Sequence, residues 1–525
     1  MRTRRLILPA IPLGLAAIVL AGCAVTATPA STSTDAGTTG TTVSATTADG
    51  AEAVLAANEN ATVVRDDEWS EADAVNVALA GDGATSSSSA VTVEGGTVTI
   101  TDAGVYRLSG SLNGSVVVSA PDDAQVVLIL DGVDIANADG AAIDVRTADD
   151  VAVFLAEGTT NTLSDASSYS EDADANAALY SSADLTITGT GTLTVTGNGN
   201  DGITSTDDLA ILSGTITVDA VDDALRGKDS LSIEGGTLTL TAGGDTLTSD
   251  NDEEETRGYI VVAGGTVDAT AGDDGLDAVS DVVITGGDLT VTAQGDGLHA
   301  DAALAIAGGT VTVTESNEAV EGVDIVIEGG DIDLTASDDG INAAGAADSA
   351  AGGGMADSGE TLTISGGTLV VDADGDGLDS NGSITITGGS TTVFGPTSDG
   401  NGALDSNGAL TVSGGSLVAI GSSGMAESPD ADSPQSWIAA LASGGQGDVV
   451  EVLDSTGTAL VSFTAEKDFA TVVLSSADLV DGGTYTVTVN GDAEVTVTEG
   501  EALAGNAGGG PGGGSSGGPG GGQRP

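Results

Sequence analysis

The chain has 525 residues, of which 80 are acidic and 11 basic, for a formal charge of −69 at neutral pH. That charge excludes nucleic acid and anionic lipid headgroups as partners. Disorder is excluded in its turn, because 40% of residues are apolar and only 17% charged, enough to bury a core if the carboxylate repulsion is offset.

Arg2, Arg4 and Arg5 precede an apolar run from Leu6 to Leu20 that ends in "LAGC" at Cys23. This reads as a lipoprotein signal over residues 1–22, with Cys23 lipidated after cleavage. The expected location is outside the cell, lipid-anchored to the outer face of the bacterial cell membrane. Cys23 is the only cysteine, so no disulfide framework is available. Residues 23–65, rich in Thr, Ser, Ala and Gly, predict a flexible spacer. Residues 66–175 contain "GVYRLSGSLNGSVVVSA" and "QVVLILDGVDI", which predict irregular first β coils and a cap.

Internal repetition sets the fold of residues 176–428. Ten strands of one kind follow small-residue bends, from "GTLTV" at Gly191 through "GTLTL" at Gly236 and "GTVTV" at Gly309 to "GSLVA" at Gly415. Their basal spacing is about 22 residues, interrupted by three insertions; each unit holds about three short strands that alternate with period two. One unit cannot bury its apolar face, but stacked units can. The expected fold is all-β, a single-stranded right-handed parallel β-helix of about 22 residues per coil. Its inward file would be Leu185, Leu209, Leu231, Ile260, Val282, Leu304, Ile325, Leu362, Ile384 and Leu410. Residues 429–500 predict a small antiparallel cap over the last open edge, and residues 501–525 a disordered Gly/Pro-rich tail. Trp69 and Trp437 are expected to pack near the two ends.

The carboxylates carry the chemistry. The turns align on apolar anchors at Ile203, Leu225, Leu247, Leu276, Leu298, Val320, Ile341 and Leu378. Two residues before them stand Asp201, Asp223, Asp245, Asp274, Asp296, Glu318, Asp339 and Asp376. At the next two anchors the position holds Gly402 and Ser423, and the file stops. Strands lie about 4.8 Å apart, and like charges at that spacing repel by roughly 3 kcal/mol per pair at an effective dielectric of 20. Cations between rungs would reverse the sign, and calcium suits because it takes oxygen ligands at about 2.3–2.6 Å. Several calcium ions are therefore expected, with further ligands in Asp222, Asp273, Asp277, Asp338, Asp379, Asn317, Glu321 and Asn342. Glycines 202, 275, 297, 340 and 377 are expected to let the backbone turn beside an ion. Against this stands the ordinary preference of Asp-Gly for turns, with the carboxylates in water. Asp372, Asp374, Asp376 and Gly377 open like an EF-hand loop, but Ser383 stands where its last ligand should be, so the turn reads as a richer rung.

With its "LILDGVDI", "LAEGTTNTLSD", "DDGL" and "GDGL" turns, Gly-Gly bends and closing "VVLSSADLVDGGTYTV", the chain resembles the exported carbohydrate-binding domain-containing family of calcium-loaded right-handed parallel β-helices, related in shape to pectate lyases, over roughly residues 66–500. The resemblance implies binding of plant-type polysaccharide, especially acidic galacturonans, with metal ligands on the turn acids named above. Gly402, Ser423 and the Gly244-Asp245-Thr246 turn depart from the pattern.

Between Gly191 and Gly415 the only aromatics are Tyr259 and Phe394, which disfavours stacking on neutral glucans. The expected function is calcium-bridged binding of an acidic, pectin-like polysaccharide, with no nucleic acid and no protein partner identified. One alternative is a calcium-dependent polysaccharide lyase. Its candidate bases are Arg226 and Lys228, otherwise expected to pair with Asp222, Asp223 or Asp229; Arg257 reads as a local ion pair and His299 as an exposed variant residue. Another alternative is a structural or ice-binding adhesin presenting threonine ladders such as Thr237, Thr239 and Thr241.

Overall fold

A computed structural model of the chain describes residues 50–170, 173–345 and 356–503. The expected signal segment, Cys23, most of the spacer, part of the third-quarter insertion and the tail lie outside these residues.

The described chain is all-β, and 40 of its strands join one sheet dominated by parallel pairings, as in a β-helix. Through the repeat region the chain visits three ladders in turn. In the first, Leu179, Ile203, Leu225, Leu247, Leu276, Leu298, Val320, Ile341, Leu378 and Leu404 pair in one register. The aligned anchors of the sequence are therefore true neighbours. In the second, Leu185 pairs with Leu209 and so on through every member of the expected inward file to Leu410. The third runs from Leu193 through Ile216 and Leu238 to Leu369, Thr391 and Leu417. Alternation turns these residues inward, and together they form one continuous buried core.

The N-terminal strands, including Gly104–Asn113 and Gln125–Ala136, join the same parallel ladders. Near them Trp69 meets Phe154 edge to face, with ring centroids 5.1 Å apart. At the other end, Ser416–Gly421 pairs antiparallel with Phe469–Ser475, which in turn pairs with Trp437–Gly444. A separate four-stranded antiparallel sheet follows, made of Val449–Leu453, Ala459–Thr464, Thr484–Val489 and Asp492–Thr498.

The structure departs from the expected spacer between residues 50 and 65. Ala51–Ala57 is a helix, and Val54 packs on Val283 and Ala305 of the second ladder's outer face. A helix of seven residues is marginal on its own, so this packing holds it. Beyond it the chain runs back along the ladder as a strap. Asn58 donates to Asp281, the Thr62 amide to Asp208 Oδ2 at 2.7 Å, and the Val64 amide to Thr186 Oγ1 at 3.0 Å.

Candidate functional site

The file of acids lies at the entrance of the first ladder. Each aspartate of the file spends one oxygen on the next rung: the amide of Asp223 donates to Asp201 Oδ1 at 3.4 Å, that of Asp245 to Asp223 at 3.0 Å, and that of Asp274 to Asp245 at 2.8 Å. The relay continues from Asp296 to Asp274 at 2.6 Å and from Glu318 to Asp296 at 3.0 Å. It resumes from Asp376 to Asp339 and ends where the Gly402 amide donates to Asp376, both at 2.5 Å. Glu318 breaks it because its longer side chain reaches Asn342 instead, accepting from Nδ2 at 2.9 Å. Aspartate therefore has a structural role here, satisfying a turn amide. The relay occupies Oδ1 of each aspartate and leaves Oδ2, which in Asp201 accepts from Thr204 Oγ1.

Those remaining oxygens are crowded. Burial, first, and neighbouring carboxylates push Asp201, Asp245 and Asp376 up to about 7 and Glu318 to about 8. The same burial raises Asp274 and Asp339 to about 6, and also raises Asp223 despite the amide it accepts. A second file stands outward on the same ladder, where Thr204, Arg226, Thr248, Asp277, His299, Glu321, Asn342, Asp379 and Asp405 pair in register. Burial lifts Glu321 to about 7 and Asp379 to about 8.

The two files meet in candidate metal groups. Asp274, Asp277 and His299 each bring one ligand atom within 4.8 Å of the others, as do Asp296, Glu318 and Glu321. The preceding acids, Asp222, Asp273 and Asp338, are exposed, yet they converge with the file at one point per pair of rungs. A Cβ added to Gly295 would lie 2.2 Å from Asp274 Oδ1 and 2.9 Å from Asp273 Oδ1. On Gly244 it would meet Asp223 and Asp222, and on Gly375 it would meet Asp339 and Asp338, all within 2.9 Å. Double acid and glycine alternate over these rungs, interrupted by Asn317 between Gly295 and Asp338, and the missing glycine side chain lets Oδ1 of two neighbouring carboxylates come close to the backbone. Asn342 Oδ1, beside Glu321 and Asp379 in register, is buried without a hydrogen-bond partner. A donor set of oxygens apart from His299, with Asn342 Oδ1 as an unsatisfied buried acceptor, fits a hard cation such as calcium.

Several expectations change. Asp201 is 1% exposed and already satisfied by Asn200 and by Thr204 Oγ1, so it is held by protein groups. The glycines at 202, 275, 297, 340 and 377 are demanded by crowding: a Cβ on Gly275 would lie 2.3 Å from Val291 Cγ1 and 2.4 Å from the Gly297 carbonyl. Asp372 and Asp374, the EF-hand-like pair, hold Lys467, whose Nζ lies 2.7 Å and 2.9 Å from them. Arg226 pairs with Asp250 and stands 3.9 Å from Asp201, not beside its sequence neighbours. Arg257 pairs with Asp229 and Glu59 as well as Glu254. His299 is half-buried rather than exposed, its Nδ1 2.8 Å from Asp277, and that hydrogen bond raises it to about 9.

Sequence reasoning missed Asp405 and Glu427, the latter pushed by burial to about 7. Asp405 follows its anchor Leu404 as Asp379 follows Leu378, which was the available signal. It also missed Asp184, Asp207 and Asp208, which form a third group within 4.8 Å. There Asp208 already accepts from the strap amide of Thr62 and from Ser230.

The carbohydrate-binding domain-containing family model matches residues 94–340 and 287–423, spanning both acid files. The chain belongs to this family. A carbohydrate-binding domain-containing protein of Acetivibrio thermocellus is 38% identical over 128 residues, which are 23% of this chain and 45% of that relative. The chain thus matches less than half of the relative's length. Among solved structures, the polysaccharide lyase-like protein from C. thermocellum, as its gadolinium derivative, is similar with a TM-score of 0.40 and 34% identity, over 46% of this chain and 94% of that one.

Proposed function

We propose that this member of the family is a surface-anchored, calcium-dependent binder of acidic polysaccharide, of the polygalacturonate or pectin type. The body is read as a right-handed parallel β-helix of about 22 residues per coil with an antiparallel C-terminal cap, exported and held to the membrane through a lipid on Cys23. The observation that carries the reading is the alternation of paired carboxylates with a side-chain-free glycine, at Gly244, Gly295 and Gly375. At each of these three glycines, Oδ1 atoms of two carboxylates converge. Residues Asp222, Asp223, Asp245, Asp273, Asp274, Asp296, Asp338, Asp339 and Asp376 would hold the ions, with Asp277, Glu318, Glu321, Asn342 and Asp379 beside them. Bound calcium would neutralise the face and offer open coordination positions to sugar carboxylates.

A lyase needs an unprotonated base beside the metal. Arg226 is bound to carboxylates and His299 is engaged by Asp277, which leaves Lys228 as the candidate base for the alternative reading, a lyase. The test is retention on immobilised polygalacturonate. Retention in calcium that chelator abolishes, with no unsaturated product, is the expected result. Equal retention with chelator present overturns the metal-dependent reading, and product formation overturns the non-enzymatic one.

A further inference from the structure

The outward file of the first ladder does not begin with the acids. From Thr204 it runs back through Tyr180 to Asp144. There a cavity of about 780 Å³ opens, lined among others by Asn113, Asp139, Asp144, Arg146, Ser168 and Tyr169. Small-molecule sites typically occupy about 300–1,000 Å³.

Arg146 decides its chemistry. Among the five described arginines, Arg65 places both terminal nitrogens on Glu234, and Arg107, Arg226 and Arg257 each meet at least two carboxylates. Arg146 meets one, Asp144, through Nε at 2.7 Å, and its side chain is 63% exposed. The edge of the guanidinium formed by its two terminal nitrogens is left for a planar anion, the geometry suited to a carboxylate. Arg146 is thus the described arginine whose terminal nitrogens meet no carboxylate, beside Asp144 and Asp139 in the same lining.

Tyr169 gives the cavity a rigid wall. Its hydroxyl is fixed between Asp165 Oδ2 at 2.8 Å and the Ala177 carbonyl at 3.0 Å, so the ring can take the C–H side of a sugar without losing a hydrogen bond. Asp139, exposed at the rim, can accept from sugar hydroxyls. A bare inorganic anion would need neither an aromatic wall nor this volume.

We propose that this cavity binds the end of an acidic oligosaccharide without a metal, with a uronate carboxylate on the terminal nitrogens of Arg146 and its ring against Tyr169. The proposal rests on the acidic-polysaccharide part of the reading above but not on calcium. Along the outward file Asp144 lies three strand spacings, about 14 Å, from Arg226.

The experiment is calorimetric titration of the full chain with trigalacturonate in chelator. Saturable one-site binding is expected, weakened at least tenfold in Arg146→Gln. Ser168→Trp fills the mouth, leaves the Arg146–Asp144 pair intact, and is expected to weaken binding to the same extent with an unchanged melting temperature. A neutral galactose trimer should bind at least tenfold more weakly than trigalacturonate. Absence of binding in chelator, wild-type affinity in both variants, or equal affinity for the neutral trimer overturns the proposal. Calcium-dependent retention of Arg146→Gln on long polygalacturonate reports separately on the acid files, so the two readings fail independently.

Discussion

At the scale of the residue, the informative positions are glycines whose missing side chain lets two carboxylates converge. Gly295 lies against Asp273 and Asp274 of the preceding rung, and a methyl group there would occupy the space proposed for an ion. Gly295→Ala is therefore expected to weaken calcium binding at least tenfold, about 1.4 kcal/mol, in a calcium titration. Gly→Ala in the neighbouring Gly297 should instead damage folding, because its Cβ would lie 2.8 Å from Val313 Cγ1. His299 makes the converse case. Its ring lies 2.8 Å from Asp277 and 3.9 Å from Glu321, where a protonated imidazole would offset part of their charge, as Lys467 does for Asp372 and Asp374. His299→Asp, which restores the residue type found at Asp277 and Asp379, should lower the melting temperature in chelator and enlarge the rise on adding calcium. An unchanged rise would show that no ion is held at that rung.

At the scale of the element, the ladders were legible because inward positions repeat with period two and must be apolar. Leu247 and Leu276 align by eye across an insertion, and they pair in the fold. The strap was not legible, since seven helical residues in an alanine-rich stretch have no period of their own. Its trace lay elsewhere, on the outer face of the second ladder. There Val261, Val283, Ala305 and Val326 replace the polar residues that Thr363, Thr385 and Thr411 supply beyond it. Strands apolar on both faces are covered on both faces. The Lys467 contact was invisible for another reason: its partners lie more than 90 residues away. Likewise the Asp/Gly alternation at the acid file was present in the sequence, but its meaning depends on which carboxylates reach which glycine. If packing holds the strap, Val54→Asp should release it, because a carboxylate cannot be buried against Val283 and Ala305 without a partner. Limited proteolysis should then cut between residues 50 and 65 while the rest of the chain stays resistant; resistance equal to wild type would refute the packing argument.

At the scale of the whole molecule, the question is how a chain of this charge stays folded. Its buried files answer in the form of a pH dependence. Asp201, Asp245, Asp376 and Glu318 are raised in the folded state to about 7 or 8 from ordinary carboxylate values near 4. Between those limits the folded chain binds more protons than the unfolded one, so stability falls as pH rises from about 4 to 8. His299 acts in the same direction at higher pH: its contribution is complete below about 6.5 and lost as pH passes about 9. An ion that binds only the folded, ionised files would oppose this decline, since it competes with protons and stabilises by mass action. In chelator, thermal melting should therefore show a lower transition at pH 8 than at pH 5. In millimolar calcium the difference should shrink or reverse, with the largest gain at pH 8, where the carboxylates are ionised. A calcium effect equal at both pH values would mean that the metal binds away from these files, because only groups that exchange protons for metal in this range can couple the two.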